Sequence, residues 1–371
     1  MWNKYKGEKE PIQNRNRYLR IVNQKIVCLF IVIGIAGTLT GCSLQKKSEN
    51  VDAGMKAIES QDYNGALDSF EKALVNGEDQ QLIYRGQGIA YMGLVQYEDA
   101  IDAFLKAIAY NKTGPDSVTY DMNYYLATAY YKTSQYKKAI NVYSSIIALK
   151  PKEADAYYLR GSVELDDGSH DAAVADFEKA MDIAKTDYDM YIHIYQSFEK
   201  NNYAEEGKGY LKNVLDHDSA TMSNYNKGRI HYYLQDYDNA RNELEEARTE
   251  AAKDANVILM LGKTYEKLGD YNYAASVYTD YLKDDTTQVE VYNQLGLCKL
   301  QMMDYQAALD AFQAALQVEN NSLTQTIKYN EIVAYEFLGE YKQATVNMEK
   351  YLKLYPDDTN AQREYEFLQT R

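Results

Sequence analysis

Apolar and small residues recur along this chain at spacings of three and four, which places them on one face of a helix. Residues 81–110 show the pattern within a single unit. Tyr84, Gly88 and Tyr91 mark the stripe of a first helix. Ala100, Phe104 and Ala107 mark that of a second, with a turn around residues 93–96. No stretch alternates apolar and polar residues, and the chain holds only four prolines, so the pattern predicts an all-α protein. Gly88 and Ala100 predict close approach of the paired helices. A larger side chain at either position would cost roughly 1–3 kcal/mol by overpacking.

The unit repeats. The small residue of the second helix recurs as Ala66, Ala100, Ala139, Ala173, Gly207, Ala240, Ala274, Ala308 and Ala344, at intervals of 34, 39, 34, 34, 33, 34, 34 and 36. Four residues after each stands Phe70, Phe104, Tyr143, Phe177, Leu211, Leu244, Tyr278, Phe312 or Met348. A small residue also recurs in the first helix, as Gly54, Gly88, Ala127, Gly161, Gly228, Gly262 and Gly296. The fifth and ninth units depart, with Tyr195 and Ile332 at that place. The order aromatic, Gly, Tyr, then Ala, Phe, Ala on a 34-residue period resembles the tetratricopeptide repeat (TPR). That resemblance implies a right-handed superhelical solenoid of about nine helix pairs whose first helices line a concave groove.

Two places interrupt the rhythm. Extra residues around 111–116 separate units one and two (residues 51–110) from units three to nine (residues 120–356), and the second-helix region 201–214 is the most degenerate. Pro151 and Pro356 stand where a repeat ends, as proline stops a helix. Residues 357–371, with Tyr365, Phe367 and Leu368, predict a capping helix over the last repeat.

Ahead of the repeats the chain changes character. Residues 1–25 carry seven Lys and Arg against Glu8 and Glu10, a net +5, and residues 26–41 carry no charge. With a formal total of −15, the chain from Cys42 onward stands at −20. Such a body repels nucleic acid, so none is expected as partner. A basic stretch, an apolar run and small residues before a break are the parts of a secretory signal. Leu39-Thr40-Gly41-Cys42 resembles the lipobox of bacterial lipoproteins, which implies removal of residues 1–41, lipidation of Cys42 and a short tether over residues 42–50. The other reading is an uncleaved signal anchor, since residues 26–45 are uncharged and long enough to span a bilayer. Both readings put the repeats outside the cytoplasm, because positive charge stays inside.

Candidate chemistry is sparse. His170, His193, His217 and His231 are scattered without metal-ligand spacing, and Cys298 has no histidine near it in sequence. The acidic run 164–171 lacks the order of a calcium loop and falls at an inter-helix turn, with Gly168 in it. No metal, no cofactor and no catalysis are expected. Tyrosine is abundant, 38 against 8 Phe. Tyr63, Tyr97, Tyr136, Tyr237, Tyr271, Tyr305 and Tyr341 fall three residues before the small residue of the second helix and are assigned to scaffold packing. Tyr84, Tyr157, Tyr191 and Tyr292 are assigned to the buried stripe of the first helix. Asp121, Asp155 and Asp189, 34 apart, are assigned to the first turns of three successive helices, where negative charge suits the dipole. The other reading is a carboxylate row that faces a basic partner.

The resemblance implies a binding surface on the first helices, beside the buried stripe. Those places hold Tyr124, Thr128 and Tyr131; Tyr158, Ser162 and Leu165; Ile192, Gln196 and Glu199; Tyr225, Arg229, Tyr232 and Tyr233; and Leu259, Lys263 and Glu266. Tyrosine and arginine are over-represented at binding surfaces. Tyr225, Arg229, Tyr232 and Tyr233 share one helical face and form the expected contact patch, with Gln196 and Lys263 from neighbouring units. The residues that clamp a partner's C-terminal carboxylate in some TPR domains are not matched here. The expectation is a membrane-anchored extracytoplasmic scaffold or adaptor for a protein or peptide, in envelope assembly, secretion or cell-wall processes. The alternative is a lipoprotein that binds a glycan or small ligand and feeds a transporter or enzyme.

Overall fold

A computed structural model describes residues 48–111, 117–319 and 321–371. The described residues are all-α, without a strand. The helices are α1 (Glu49–Glu59), α2 (Tyr63–Val75), α3 (Gln80–Gly93), α4 (Tyr97–Tyr110), α5 (Ser117–Lys132), α6 (Tyr136–Leu149), α7 (Ala154–Asp166), α8 (His170–Ile183), α9 (Tyr188–Lys200) and α10 (Ala204–Asp218). They continue with α11 (Asn224–Tyr233), α12 (Tyr237–Glu250), α13 (Ala255–Leu268), α14 (Tyr271–Asp284), α15 (Val289–Gln301), α16 (Tyr305–Leu316), α17 (Thr324–Leu338), α18 (Tyr341–Leu354) and α19 (Thr359–Leu368). Odd numbers up to α17 are first helices and even numbers are second helices. The signal segment, Cys42 and most of the inserted loop lie outside the described residues.

The small residue of the second helix and its companion four residues later are buried in all nine pairs. The reason, seen in pairs such as the second, fourth and eighth, is knob-into-hole packing. A Cβ on Gly88 would lie 2.5 Å from the Phe104 ring, and one on Gly161 2.9 Å from Phe177. The ring occupies the place of the missing side chain. In the fifth pair the volumes are exchanged: Tyr195 is bulky on the first helix, and the opposed Gly207 has room for a Cβ only 3.2 Å from the Tyr195 ring. Both Tyr195 and Leu211 are fully buried there.

Inside a unit a first helix packs against second helices on both sides, as α3 does against α2 and α4. Its buried arc therefore centres one residue earlier than the sequence pattern suggests. Ile83, Ala156, Met190 and Val291 are the core positions. Tyr84, Tyr157, Tyr191 and Tyr292, expected in the core, are half-buried instead. The turn tyrosines also divide: Tyr63 lies against the backbone at Gly93, whereas Tyr341 is 37% exposed.

All nine intra-pair turns share one backbone device. Gln61, Val95, Ser134, Gly168, Asn202, Gln235, Gly269, Met303 and Gly339 have positive φ, each two residues before a second helix. The left-handed residue ends the first helix with paired backbone bonds, such as Gln96 N–H to Tyr91 O at 2.9 Å and Val95 N–H to Met92 O at 3.1 Å. Several helices then start on an aspartate that accepts from the first turn, as Asp62, Asp270 and Asp304 do.

The described residues divide into two compact units, one ending at Asp236 and one beginning at Tyr237. The boundary falls at the turn of the sixth pair. In the later unit α19 covers the last repeat through Ala361 and Leu368, buried against Ile332, Ala344, Met348 and Tyr351. Phe367, expected to share in that cover, is 41% exposed, with the Arg371 guanidinium 4.6 Å from its ring.

Candidate interaction face

In the earlier unit, successive first helices touch through polar side chains that the pair core does not need. On α3 and α5, Arg85 donates to Asp121. At the C-terminal ends of α5, α7 and α9, Asp166 accepts from Tyr131, Lys200 and Asn201, the last at 2.8 Å. Lys200 also donates to the Tyr131 hydroxyl at 2.8 Å. Tyr131 and Lys200 line an open depression of about 410 Å³ with Lys132, Ser134, Tyr136 and Asp166.

Further along, Tyr158 stacks on His193 at 5.8 Å, and Ser162 and Ser197 meet at 3.0 Å, joining α7 to α9. Gln196 donates to the Tyr233 hydroxyl at 3.1 Å, and Arg229 pairs with Asp189, joining α9 to α11. Apart from Tyr131 and Lys200, these partners lie 34 to 40 residues apart, about one repeat, and that spacing is the signal that could have found Asp166, His193, Ser197, Lys200 and Asn201. Sequence reasoning did not select them, because each is unremarkable by itself.

The expected contact residues fall into place as follows. Tyr124 packs edge-on against Tyr143 and lies 3.4 Å from the Tyr120 hydroxyl. Burial pushes its phenol well above the usual range, and Tyr120 and Glu153 add to the effect. The Arg229 guanidinium lies 5.1 Å from the Tyr225 ring and donates to Asn226 at 3.2 Å, while its Nε is buried without a hydrogen-bond partner. Tyr232 and Tyr233 meet edge to face at 5.5 Å. Burial lowers the pKa of the His193 imidazole, favouring its neutral form. Leu165 and Ile192, expected on this face, are instead core residues, 4% and 2% exposed.

Lys263 belongs to the later unit, on α13. Burial pushes its ammonium down in pKa, opposed by Glu266. Glu266 is pushed up to about 7 by burial and accepts from the Tyr278 hydroxyl at 2.8 Å. Cys298 is fully buried on α15, and burial raises its thiol to about 12, so it is a packing residue and not a nucleophile.

The family model of the tetratricopeptide repeat matches residues 51–117, 124–188, 225–289 and 259–324, together more than half of the chain. Its gap at residues 189–224 is the fifth pair, where Tyr195 and Gly207 exchange volumes. The chain is similar to a TPR repeat-containing protein of Methanocaldococcus jannaschii, 25% identical over 239 residues, which are 63% of this chain and 42% of that protein. It is similar also to the Hsp70-Hsp90 organizing protein of Triticum aestivum, 23% identical over 232 residues, which are 52% of this chain and 40% of that protein. The chain thus spans less than half the length of these relatives. Among solved structures it is similar to a tetratricopeptide repeat protein from Parabacteroides merdae, at 14% identity and a TM-score of 0.43, over 77% of this chain and 97% of that one.

Proposed function

The chain belongs to the tetratricopeptide repeat family, and from that premise we propose that it is a membrane-anchored, extracytoplasmic scaffold that holds a protein or peptide along its first helices. One observation carries the reading. From α5 to α11 the first helices present half-buried tyrosines, hydroxyls and an arginine where a merely solvated face would hold lysine and glutamate. Rings of this kind offer large contact area with few rotamers to freeze.

The anchoring part rests on the lipobox at Leu39-Thr40-Gly41-Cys42. A diacylglyceryl group supplies two acyl chains, which is what stable anchoring requires. Envelope assembly, secretion and wall metabolism are the processes such an adaptor serves. The depression at Tyr131 and Lys200 is open, which suits a chain-like partner better than an enclosed glycan or small ligand.

The test is capture from membranes with the full chain. Alanine at Arg229 and Tyr232 together is expected to weaken capture by more than about 2 kcal/mol. Far-UV circular dichroism should stay unchanged. Because Arg229 also holds Asp189, an Asp189→Asn variant controls for loss of that pair. Capture that survives the double substitution, yet is lost on changing exposed second-helix residues such as Leu105 and Leu149, would move the interface to the other face.

A further inference from the structure

Three aspartates, Asp121, Asp155 and Asp189, stand 34 residues apart, each six residues before Ala127, Gly161 or Tyr195 of its first helix. Asp155 and Asp189 lie in the first turns of α7 and α9, and Asp121, against expectation, lies one turn further in because α5 starts early at Ser117. Two of them are neutralised by an arginine from an adjacent repeat. Arg85, three residues before the small residue of α3, pairs with Asp121. Arg229, one residue after the small residue of α11, pairs with Asp189. For Asp155 the corresponding places hold Tyr124 and Gln196, neither of which carries charge. Among the described residues no side chain forms an ion pair with Asp155.

Its surroundings sharpen the contrast. Asp155 is exposed at the surface, yet partial desolvation by its neighbours and the charges of Glu153 and Asp187 raise its carboxyl above the ordinary range, with His193 opposing them. Tyr158 follows Asp155 by three residues on α7, and Tyr124 holds on α5 the place from which Arg85 of α3 reaches Asp121. Tyr124 and Tyr158 are thus the rings that the repeat register sets beside the carboxylate, while Lys150 already sits over Tyr120 at 3.3 Å. Aromatic rings and phenol oxygens beside a carboxylate are an environment that attracts a cation. The chain from Cys42 onward stands at −20, and a field of that sign draws basic chains toward it.

We propose that the occupant of this face is a basic segment of a partner protein, and that one of its lysine or arginine side chains seats on Asp155 between Tyr124 and Tyr158. This rests on the first-helix face being the binding face, as proposed above. The incoming cation takes the place that Arg85 and Arg229 fill for the sister aspartates. The serines and Gln196 then serve the segment's backbone with uncharged hydrogen bonds.

The experiment uses the full chain and two fluorescent dodecapeptides, one alternating Lys with Ser and the other alternating Glu with Ser, read by anisotropy. The Lys probe should bind, and more weakly as salt is raised. Asp155→Asn should weaken it roughly two- to fivefold, the worth of an exposed ion pair. Gln196→Arg, which supplies the missing guanidinium from within, should weaken it as much. Asp155→Lys should turn the preference toward the Glu probe. Asp68→Asn, an exposed change on α2, should leave binding as it was. No binding of the Lys probe, equal binding by wild type and Asp155→Asn, or preference of the wild type for the Glu probe would each overturn the inference. Native-partner capture that is lost with the Arg229 and Tyr232 double variant but untouched by the Asp155 variants leaves the scaffold reading standing and removes this one. Capture that ignores both sets removes both.

Discussion

Arg160 on α7 sits at the centre of a half-buried charge cluster. It makes a two-pronged contact with Asp176 of α8 at 2.6 and 2.8 Å, and donates to Ser144 of α6 at 2.9 Å. Glu164 lies 4.0 Å from the same guanidinium, and its Oε2 is buried without a hydrogen-bond partner. Burial, and after it the charge of Asp176, push the Glu164 carboxyl up to about 7, outweighing Arg160. An acid whose pKa is raised on folding favours the fold while protonated. That contribution is whole below the ordinary carboxylate range and is lost as pH climbs toward 7. Between pH 5 and pH 8, α7 should therefore lose about 1–2 kcal/mol of protection, once solvent screening is allowed for. Glu164→Gln, which keeps the protonated form's shape, should flatten the dependence. Hydrogen exchange of α7 at the two pH values measures it, and an identical pH response in the Gln variant would contradict the assignment.

At the scale of the element, the turn matters more than its residue type. The same left-handed conformation is held by Gly168 in one pair and by Val95, a β-branched residue, in another. Left-handed backbone costs an L-residue roughly 1–2 kcal/mol, and glycine gives part of that back through unfolded-chain entropy. Val95→Gly should stabilise its helix pair by about 0.5–1 kcal/mol. Gly168→Val should destabilise its own pair by about the same amount. A Cβ at Gly168 meets nothing within 4 Å, so the second change tests backbone conformation alone. Urea unfolding followed by hydrogen exchange at α3–α4 and α7–α8 reads both. Opposite signs are expected; equal signs would mean that side-chain contacts govern these turns.

For the whole molecule, the repeats inside each unit touch mainly their neighbours along the chain, so stability is distributed and not centred on one core. Under the proposed reading, the segment before the array ties it to a membrane. Cys42→Ser should yield an unprocessed precursor without lipid label, whereas wild type should begin at Cys42 and partition with membranes. Intact-mass spectrometry of the purified protein distinguishes the two, and a wild-type chain that retains Met1 would replace the lipid anchor by a signal anchor. That outcome would leave the scaffold and its first-helix face as they are.

The sequence by itself determined the repeat. A 34-residue period of small and bulky residues is a local code, because each helix pair is built from positions less than twenty residues apart, such as Gly88 and Phe104. The left-handed turn at Val95, in contrast, carries no residue signal, since a shared backbone geometry overrides the preference of its side chain. The burial of Ile83 in place of Tyr84 was equally hidden, because it depends on a first helix being flanked by second helices from two repeats. The candidate face lies further still from the sequence. Which aspartate of three receives an arginine is settled by side chains 36 to 40 residues away, Arg85 reaching forward and Arg229 reaching back. Only the tertiary packing of one first helix on the next brings them within reach, and only there does Asp155 stand out as the carboxylate left for something else to meet.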